Sequence, residues 1–176
     1  MRAGIPRTFW RASTMLNSGP IGTARHGMSI NQRVAQFAQN HLGQRVRRGE
    51  CFDLADRALR SAGAASAADY GRVTPRGDYQ WGLGVMPSSA QVGDIVQFRN
   101  FRVDFSDERG EGWETRGAPN HTAIIAAVEG DGRFEIWEQN YNNVRRVTRT
   151  IIYLTSNPPR SRVSGRVSVY RPQPAD

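Results

Sequence analysis

The sequence predicts an α+β domain, with helices in the first half of the chain and an antiparallel sheet in the second. Apolar residues recur at helical spacing over residues 29–62, strand-like runs separated by turns follow from residue 92, and the chain has no internal repeat. A length of 176 residues suits one hydrophobic core. We therefore expect a single domain over residues 29–176, preceded by a weakly ordered arm over residues 1–28, where glycine and proline interrupt every pattern.

Two helices are predicted in the first third of the chain. Ser29, with a glutamine three residues later, forms a capping-box pattern, apolar residues follow at helical spacing, and Gly43 is a typical stop. A second amphipathic pattern begins near Cys51 and ends at Gly63. From there to residue 90 the chain is predicted to be mostly loop, with short helical pieces.

The second half of the chain predicts a meandering sheet. The predicted strands span residues 92–98, 122–128, 133–138, 144–154 and 166–171. The turn at Gly130 to Gly132 is expected to join the second and third of them as a hairpin. Residues 99–120 are acidic and contain glycine, so we expect a long loop there, and such loops in compact domains are often functional.

Composition limits the chemistry. All 24 basic residues are arginine, which excludes Schiff bases and lysine general bases. Cys51 is the only cysteine, so neither an internal disulfide nor a multi-cysteine metal site is possible. The net charge of +8 favours an anionic partner or surface. No arginine cluster is accompanied by stacking aromatic residues, so a nucleic-acid partner is not expected.

Cys51 lies where the second helix should begin. The unpaired N–H groups and partial positive charge of a helix N-terminus favour the thiolate, which is the nucleophilic form of cysteine. Arg45, Arg47 and Arg48 precede it and add positive charge. The alternative is that Cys51 is a small buried apolar residue.

His121 is the histidine best placed to act with this cysteine. It opens one predicted strand, and Glu138 closes the next strand after a tight turn. In an antiparallel hairpin the start of one strand lies opposite the end of its neighbour, so we expect Glu138 beside His121, with Asn140 on the same side. A nucleophilic cysteine needs an imidazole base, and that base needs an orienting carboxylate or amide. A structural role at the strand edge is the alternative for His121.

Four motifs in this order resemble those of CHAP domains, the amidase and endopeptidase relatives of papain and of the NlpC/P60 hydrolases. They are residues 50–55 around the cysteine, residues 91–96 with a Gly-Asp pair, residues 121–125 beginning with histidine, and residues 138–140 with the pattern Glu-x-Asn. The resemblance covers about residues 30–155. It implies a papain-like fold, in which a helix bearing the cysteine packs on an antiparallel sheet bearing the histidine.

The resemblance also implies roles for these residues. Cys51 would attack an amide carbonyl, His121 would transfer the proton, and Glu138 would orient the imidazolium. Asn140 would share that orienting role or fix the substrate. The backbone N–H of Cys51 is the expected oxyanion donor, and Gln44 is a candidate for a second donor by analogy with papain-like enzymes, although it is also an ordinary polar residue for a helix end.

Two features depart from the family pattern or extend beyond it. Glu50 stands where many CHAP domains have glutamine, and its carboxylate opposes thiolate formation unless Arg47 or Arg48 neutralises it. Trp113, in the acidic segment, is a candidate for lining the substrate groove, with core packing as the alternative. The acidic residues around it are irregularly spaced, which favours a solvated loop over a calcium site, so neither a metal nor a cofactor is expected.

The resemblance implies a cysteine hydrolase that cleaves an amide bond of peptidoglycan, as an N-acetylmuramoyl-L-alanine amidase or an endopeptidase. The chain has no run of 18 apolar residues and no visible signal peptide. We therefore expect a protein that is cytoplasmic before delivery and acts in the periplasm or cell wall after export. We also expect it to be a monomer. A lysin or a secreted antibacterial effector fits this description, with peptidoglycan as partner and, for an effector, a secretion apparatus or a cognate immunity protein. Two alternatives remain open: a cysteine protease, deamidase or acyltransferase on another substrate, and a basic binding module that has lost catalysis.

Overall fold

The computed structural model describes residues 27–75 and 77–176. Over these ranges the helices are α1 (Ile30–Asn40), α2 (Cys51–Ser61), α3 (Ala67–Tyr70) and a short 3-10 helix (Pro87–Ser89). The strands are β1 (Leu83–Val85), β2 (Ile95–Asp107), β3 (Gly110–Gly130), β4 (Arg133–Glu138), β5 (Thr148–Tyr153) and β6 (Ser161–Arg171). The predicted α+β class is confirmed. The arm predicted for residues 1–28 lies outside the described residues up to residue 26.

The six strands of the described chain form one antiparallel sheet in the order β1-β6-β2-β3-β4-β5. β6, which comes last in the chain, therefore lies between β1 and β2. Alternate residues of the inner strands pack on opposite faces: Ile95 and Ile124 contact the helices, whereas Val96 and Ile125 belong to a second apolar cluster. Burial on both faces explains why these strands are continuous apolar runs in the sequence.

The first two helices begin and end where the sequence predicts them. Ser29 and Gln32 cap α1 reciprocally: the Ser29 hydroxyl accepts from the Gln32 N–H at 3.2 Å, and the Gln32 side chain accepts from the Ser29 N–H at 2.8 Å. Val34 and Ala38 then face the buried side of α2. Across the described residues, no helix combines the length and apolar character needed to cross a bilayer.

The loop predicted over residues 99–120 is wrong, because that segment is the outer part of a long β2–β3 hairpin. Its strand alternation is present in the sequence, with Phe101 and Val103 buried and their neighbours more exposed. The acidic charge that suggested a solvated loop is compensated by arginines. Four ion pairs do this: Asp104 with Arg102, Asp107 with Arg109, Glu108 with Arg133, and Glu114 with Arg116. Within the described residues, no cluster of His, Cys, Asp and Glu is arranged to hold a metal.

A bulge bends this hairpin at the point where it enters the core. Arg99 pairs with Asn120, but Phe101 pairs with Arg116, so residues 117–119 of β3 face only Asn100 of β2. The pairing of β2 with β6 is interrupted at the same place. The bulge brings Arg116 and Asn120 close to each other at the end of the core sheet, next to His121.

The Gly-Asp pair before β2 has a clear packing role. Gly93 has a φ of +87°, and a Cβ there would lie 2.1 Å from the carbonyl oxygen of Asn31 in α1. The buried Asp94 carboxylate accepts hydrogen bonds from the Asn31 side chain at 2.7 Å and from Arg171 in β6 at 3.0 Å. This pair therefore fixes α1 against the end of the sheet.

Candidate active site

Cys51 is the first residue of α2 and is partly exposed. The turn into the helix is fixed by the buried Asp53, which accepts hydrogen bonds from the backbone N–H groups of Glu50 at 3.3 Å and Arg48 at 3.1 Å. The guanidinium of Arg48 adds an ion pair with Asp53 at 3.1 Å. As the first helical residue, Cys51 carries an N–H that points away from the helix body and has no intrahelical acceptor.

A buried amide connects this turn to the sheet. Gln139, directly after β4, accepts a hydrogen bond from the Val46 N–H at 2.8 Å. Its side-chain NH₂ donates to the carbonyl oxygens of Val46 at 3.2 Å and Glu50 at 2.8 Å. Gln139 thus holds the loop before Cys51 against the end of the strand that carries Glu138.

His121 and Glu138 meet as the hairpin geometry predicts. The Nε2 atom of His121 lies 2.9 Å from a carboxylate oxygen of Glu138, and both side chains are buried. His121 and Cys51 also line the same cleft, and the imidazole lowers the pKa of the Cys51 thiol. Because Nε2 faces the carboxylate, Nδ1 is the nitrogen left for the sulfur. Cys51, His121 and Glu138 together form a group that we call the relay.

Glu138 has a further partner that the sequence did not suggest. Arg116, fully buried, donates two hydrogen bonds to the carboxylate: Nε to one oxygen at 2.8 Å and Nη2 to the other at 2.9 Å. Its guanidinium lies over the ring of Tyr141, 3.5 Å from the centroid. Thr150 donates a hydrogen bond to the same carboxylate. Glu138 is therefore held from three directions.

The charges of this group favour a thiolate. Burial raises the pKa of the Cys51 thiol, but the hydrogen bond and positive charge of His121 outweigh it and bring that pKa below the ordinary 9.0. Burial lowers the pKa of His121, whereas its hydrogen bonds to Cys51 and Glu138 raise it, to about 9. Burial raises the pKa of Glu138, but His121 and Arg116 bring it down to about 2. These shifts favour the thiolate–imidazolium pair over the neutral thiol–imidazole pair, beside a charged carboxylate.

Asn140 does not reach His121. Its side-chain NH₂ donates to the Glu50 carboxylate at 2.7 Å, and Arg145 forms an ion pair with the same carboxylate at 3.1 Å. Arg47 and Arg48, which the sequence suggested as groups that could neutralise Glu50, form ion pairs with Asp56 and Asp53. The charge beside the nucleophile is balanced from the β4–β5 connection.

Two clefts meet at Cys51. One, of about 440 Å³, has apolar walls that include Phe52, Val73, Pro75 and Tyr79, and we call it the apolar cleft. The other, of about 600 Å³, we call the polar cleft. Its lining includes Arg102, Thr115, Asn120, His121, Asn140 and Asn142. Cys51, Glu50, Pro75 and Asn120 border both clefts.

The comparisons with known proteins agree with this geometry. The family model of the AIM3/BBC1 cysteine proteinase-fold domain matches residues 23–176. The chain belongs to this family. It is also 31% identical over 158 residues to altered inheritance of mitochondria protein 3 from the yeast Debaryomyces hansenii, a match that covers 83% of this chain and 16% of that protein.

The fold is also shared with a solved structure. The crystal structure of Ly7917 with the hydrolyzing product of MDP matches with a TM-score of 0.50 and 23% identity, covering 82% of this chain and 63% of that one. The chain thus spans about a sixth of the yeast relative and less than two thirds of Ly7917. The predicted papain-like arrangement is confirmed as a cysteine proteinase fold, whereas the CHAP family itself remains a resemblance.

Two sequence candidates in this AIM3/BBC1 domain lie away from the relay. Gln44 is exposed, its side chain donates to the carbonyl of Asn40 at 3.1 Å, and it lines neither cleft, so it serves the end of α1 rather than an oxyanion. Trp113 projects from the β2–β3 hairpin, is 61% exposed and lies under the guanidinium of Arg102 at 4.8 Å, also outside both cleft linings.

Sequence reasoning missed Arg116 and the anchoring role of Gln139. Arg116 was missed because its segment was predicted to be a loop. The alternation of Phe101, Val103 and Phe105 indicates a strand, and the partner of that strand in the hairpin is the segment that carries Arg116. Nothing in the local sequence distinguishes Gln139 from a surface glutamine, since its partners are 93 and 89 residues away.

Proposed function

We propose that this domain is a cysteine-dependent hydrolase that cleaves amide bonds through a thioester intermediate. The observation that carries the proposal is the relay of Cys51, His121 and Glu138, which lies where two open clefts meet. In it the imidazole is hydrogen-bonded to Glu138 and lowers the pKa of the thiol. A nucleophile, a base in contact with it and a buried group orienting that base are the parts that acyl transfer requires.

In the first half of the reaction the Cys51 thiolate attacks the amide carbonyl carbon. Negative charge develops on the carbonyl oxygen, which the N–H of Cys51 at the helix N-terminus is placed to stabilise. The C–N bond then breaks as the His121 imidazolium gives its proton to the amine nitrogen. The amine leaves, and the acyl group remains on sulfur as a thioester.

In the second half water completes the hydrolysis. His121, now neutral, takes a proton from water, and the oxygen attacks the thioester carbonyl. The C–S bond breaks, the acid product leaves, and Cys51 returns to the thiolate beside a protonated His121. Glu138 stays charged throughout, because Arg116 and His121 hold the pKa of its carboxyl near 2.

We propose peptidoglycan as the substrate, with cleavage either between muramic acid and the stem peptide or within the peptides. The support is the fold shared with Ly7917, whose structure contains the hydrolyzing product of MDP, together with the net charge of +8. An anionic polymer is attracted to a cationic enzyme, which raises the encounter rate more than the final affinity.

A second substrate class, the amide bonds of proteins, is favoured by the family itself. The 31% identical relative comes from a yeast, an organism without peptidoglycan of its own. The relay dictates acyl transfer, whereas the clefts decide which acyl donor enters them.

The test is to incubate isolated peptidoglycan, and separately a mixed peptide library, with the wild-type protein and with Cys51→Ala. Mass spectrometry then identifies the products. Free stem peptides indicate an amidase, cut stems or bridges an endopeptidase, and cleavage confined to the library a protease. His41→Ala is the matched histidine control, because His41 caps α1 away from the site. Activity that survives in Cys51→Ala, or an inert Cys51 with no product from either substrate, contradicts the proposed chemistry and leaves a binding module.

A further inference from the structure

The two clefts that meet at Cys51 differ in chemical character. Phe52 and Tyr79 form the floor of the apolar cleft and pack on the buried Trp81, with ring centroids 5.2 to 5.8 Å apart. Val73, 39% exposed, forms part of its wall. Such an apolar surface is stabilised when an apolar group covers it.

The polar cleft presents hydrogen-bonding groups instead. Asparagines account for four of its lining residues, and Thr115 and Arg102 extend it along the β2–β3 hairpin. The side-chain oxygens of Asn120 and Asn140 are buried and accept no hydrogen bond from the described residues. A cleft lined mainly by polar side chains suits a hydrogen-bonding chain better than an apolar one, because polar groups covered by a ligand need hydrogen-bond partners.

The position of His121 decides which half of a substrate enters which cleft. His121 borders the polar cleft and not the apolar one. A proton can pass from the imidazolium to the leaving nitrogen only within hydrogen-bond reach, so the amine half of the substrate lies on the side of the polar cleft. The acyl half, bonded to the sulfur of Cys51, then extends into the apolar cleft.

We infer that the preferred substrate carries an apolar side chain on the acyl side of the scissile amide and a polar, hydrogen-bonding chain on the amine side. This inference rests on the proposed function, because it assigns the two halves of a cleaved amide. It predicts selection by the acyl residue: a leucine or phenylalanine there is accepted, and an aspartate is rejected.

The experiment uses peptidyl electrophiles that alkylate cysteine and differ only in the residue adjacent to the reactive group. The rate of Cys51 labelling is followed by intact-protein mass spectrometry. With the wild-type protein, leucine and phenylalanine probes should label at least about tenfold faster than an aspartate probe, a ratio typical of one side chain in an apolar pocket. Equal rates for all probes would overturn the inference.

Variants of the cleft wall sharpen the test. Val73→Asp should reduce the rate with the leucine probe and increase it with an arginine probe, whereas Val73→Leu should keep the wild-type order. Val128→Asp is the matched control, because Val128 is similarly exposed, at 49%, on the far end of β3 and lines neither cleft. If Val128→Asp changes the probe order as much as Val73→Asp does, the apolar cleft is not the acyl subsite.

A binding measurement separates failure of this inference from failure of the proposed function. Acetylated peptide amides with leucine or aspartate at the same position are titrated into Cys51→Ala by calorimetry. If the wild-type thiol reacts with iodoacetamide but the probes and the peptide amides show no apolar preference, the inference fails while the hydrolase stands. A thiol inert even to iodoacetamide overturns the hydrolase, and the leucine preference of Cys51→Ala then decides whether the apolar cleft binds such side chains.

Discussion

At the scale of single residues, the pKa of the Cys51 thiol depends on the neighbouring His121 as well as on burial. Burial raises the pKa of the Cys51 thiol, and His121 makes the largest of the contributions that lower it, followed by the backbone of Thr122 and Phe52. The reactive form of Cys51 therefore depends on one imidazole that Glu138 holds through its other nitrogen.

Replacing that imidazole should suppress thiol reactivity near neutral pH. In His121→Ala the hydrogen bond and positive charge disappear, so the pKa of Cys51 should rise above its wild-type value, and the iodoacetamide alkylation rate at pH 7 should fall about tenfold for each unit of that rise. The measurement is the alkylation rate between pH 5 and about 10, with the thiolate limb moving to higher pH. His41→Ala should keep the wild-type profile, and an unshifted limb in His121→Ala would contradict the thiolate–imidazolium pair.

The carboxylate behind the imidazole depends on Arg116 in the same way. Arg116→Met keeps most of the side-chain volume but leaves the Glu138 carboxylate charged and buried without its arginine partner. Breaking a buried pair in this manner costs about 3–5 kcal/mol of folding free energy. Urea unfolding at pH 7 measures this loss.

The dependence of folding stability on acid pH tests the same Arg116–Glu138 ion pair. The pKa of Glu138 is depressed from 4.5 to about 2, so the stability it contributes is present above pH 4.5 and is lost as the pH falls toward 2. Arg116→Met should show a smaller loss over this interval than the wild type. A variant as stable as the wild type at pH 7 would show that the ion pair has no net value.

At the scale of elements, the bulge in β3 allows one strand to supply two partners to the Glu138 carboxylate. Arg116 and His121 both contact that carboxylate although four residues separate them in the chain. The extra residues 117–119 bend β3 away from its partner and return it in register at Asn120. Gly117, Ala118 and Asn100 also line the polar cleft.

The bulge requires a glycine across the sheet. Gly165 in β6 has a φ of +79°, and a Cβ there would lie 2.1 Å from the carbonyl oxygen of Asn100. Gly165→Ala should cost about 1–2 kcal/mol for the left-handed backbone alone, and more because of the overlap. Gly84→Ala is the control, since Gly84 has open space around it and no positive φ, and its effect should stay within about 0.5 kcal/mol. Chemical denaturation of both variants compares the two costs, and equal stability would contradict the constraint.

The sequence predicts the central elements of the fold and the site better than it predicts the outer hairpin and the long-range contacts. The capped start of α1, the helix that begins at Cys51 and the pairing of His121 with Glu138 follow from local patterns and from the geometry of one hairpin. The outer part of the β2–β3 hairpin was mispredicted as a loop, because its many acidic residues suggested a solvated segment although Phe101 and Val103 alternate as in a strand. The Glu50 contacts could not be inferred, because they join residues about 90 positions apart.

At the scale of the whole molecule, the chain order and the spatial order of the strands do not agree. β6 enters the sheet between β1 and β2, so the pairing of β2 is complete only when the final strand is in place. Two of the five strand pairings, β1–β6 and β2–β6, therefore join residues far apart in sequence, a property that slows folding.

The late position of β6 also bears on when the sheet that carries His121 is completed. On a ribosome, residues 51 to 138 are synthesised before β6, so a nascent chain already contains the cysteine, the histidine and the carboxylate. β2, which supports the histidine strand, still has an open edge at that stage. We therefore expect stable packing around the relay only after the last strand of the domain has been synthesised.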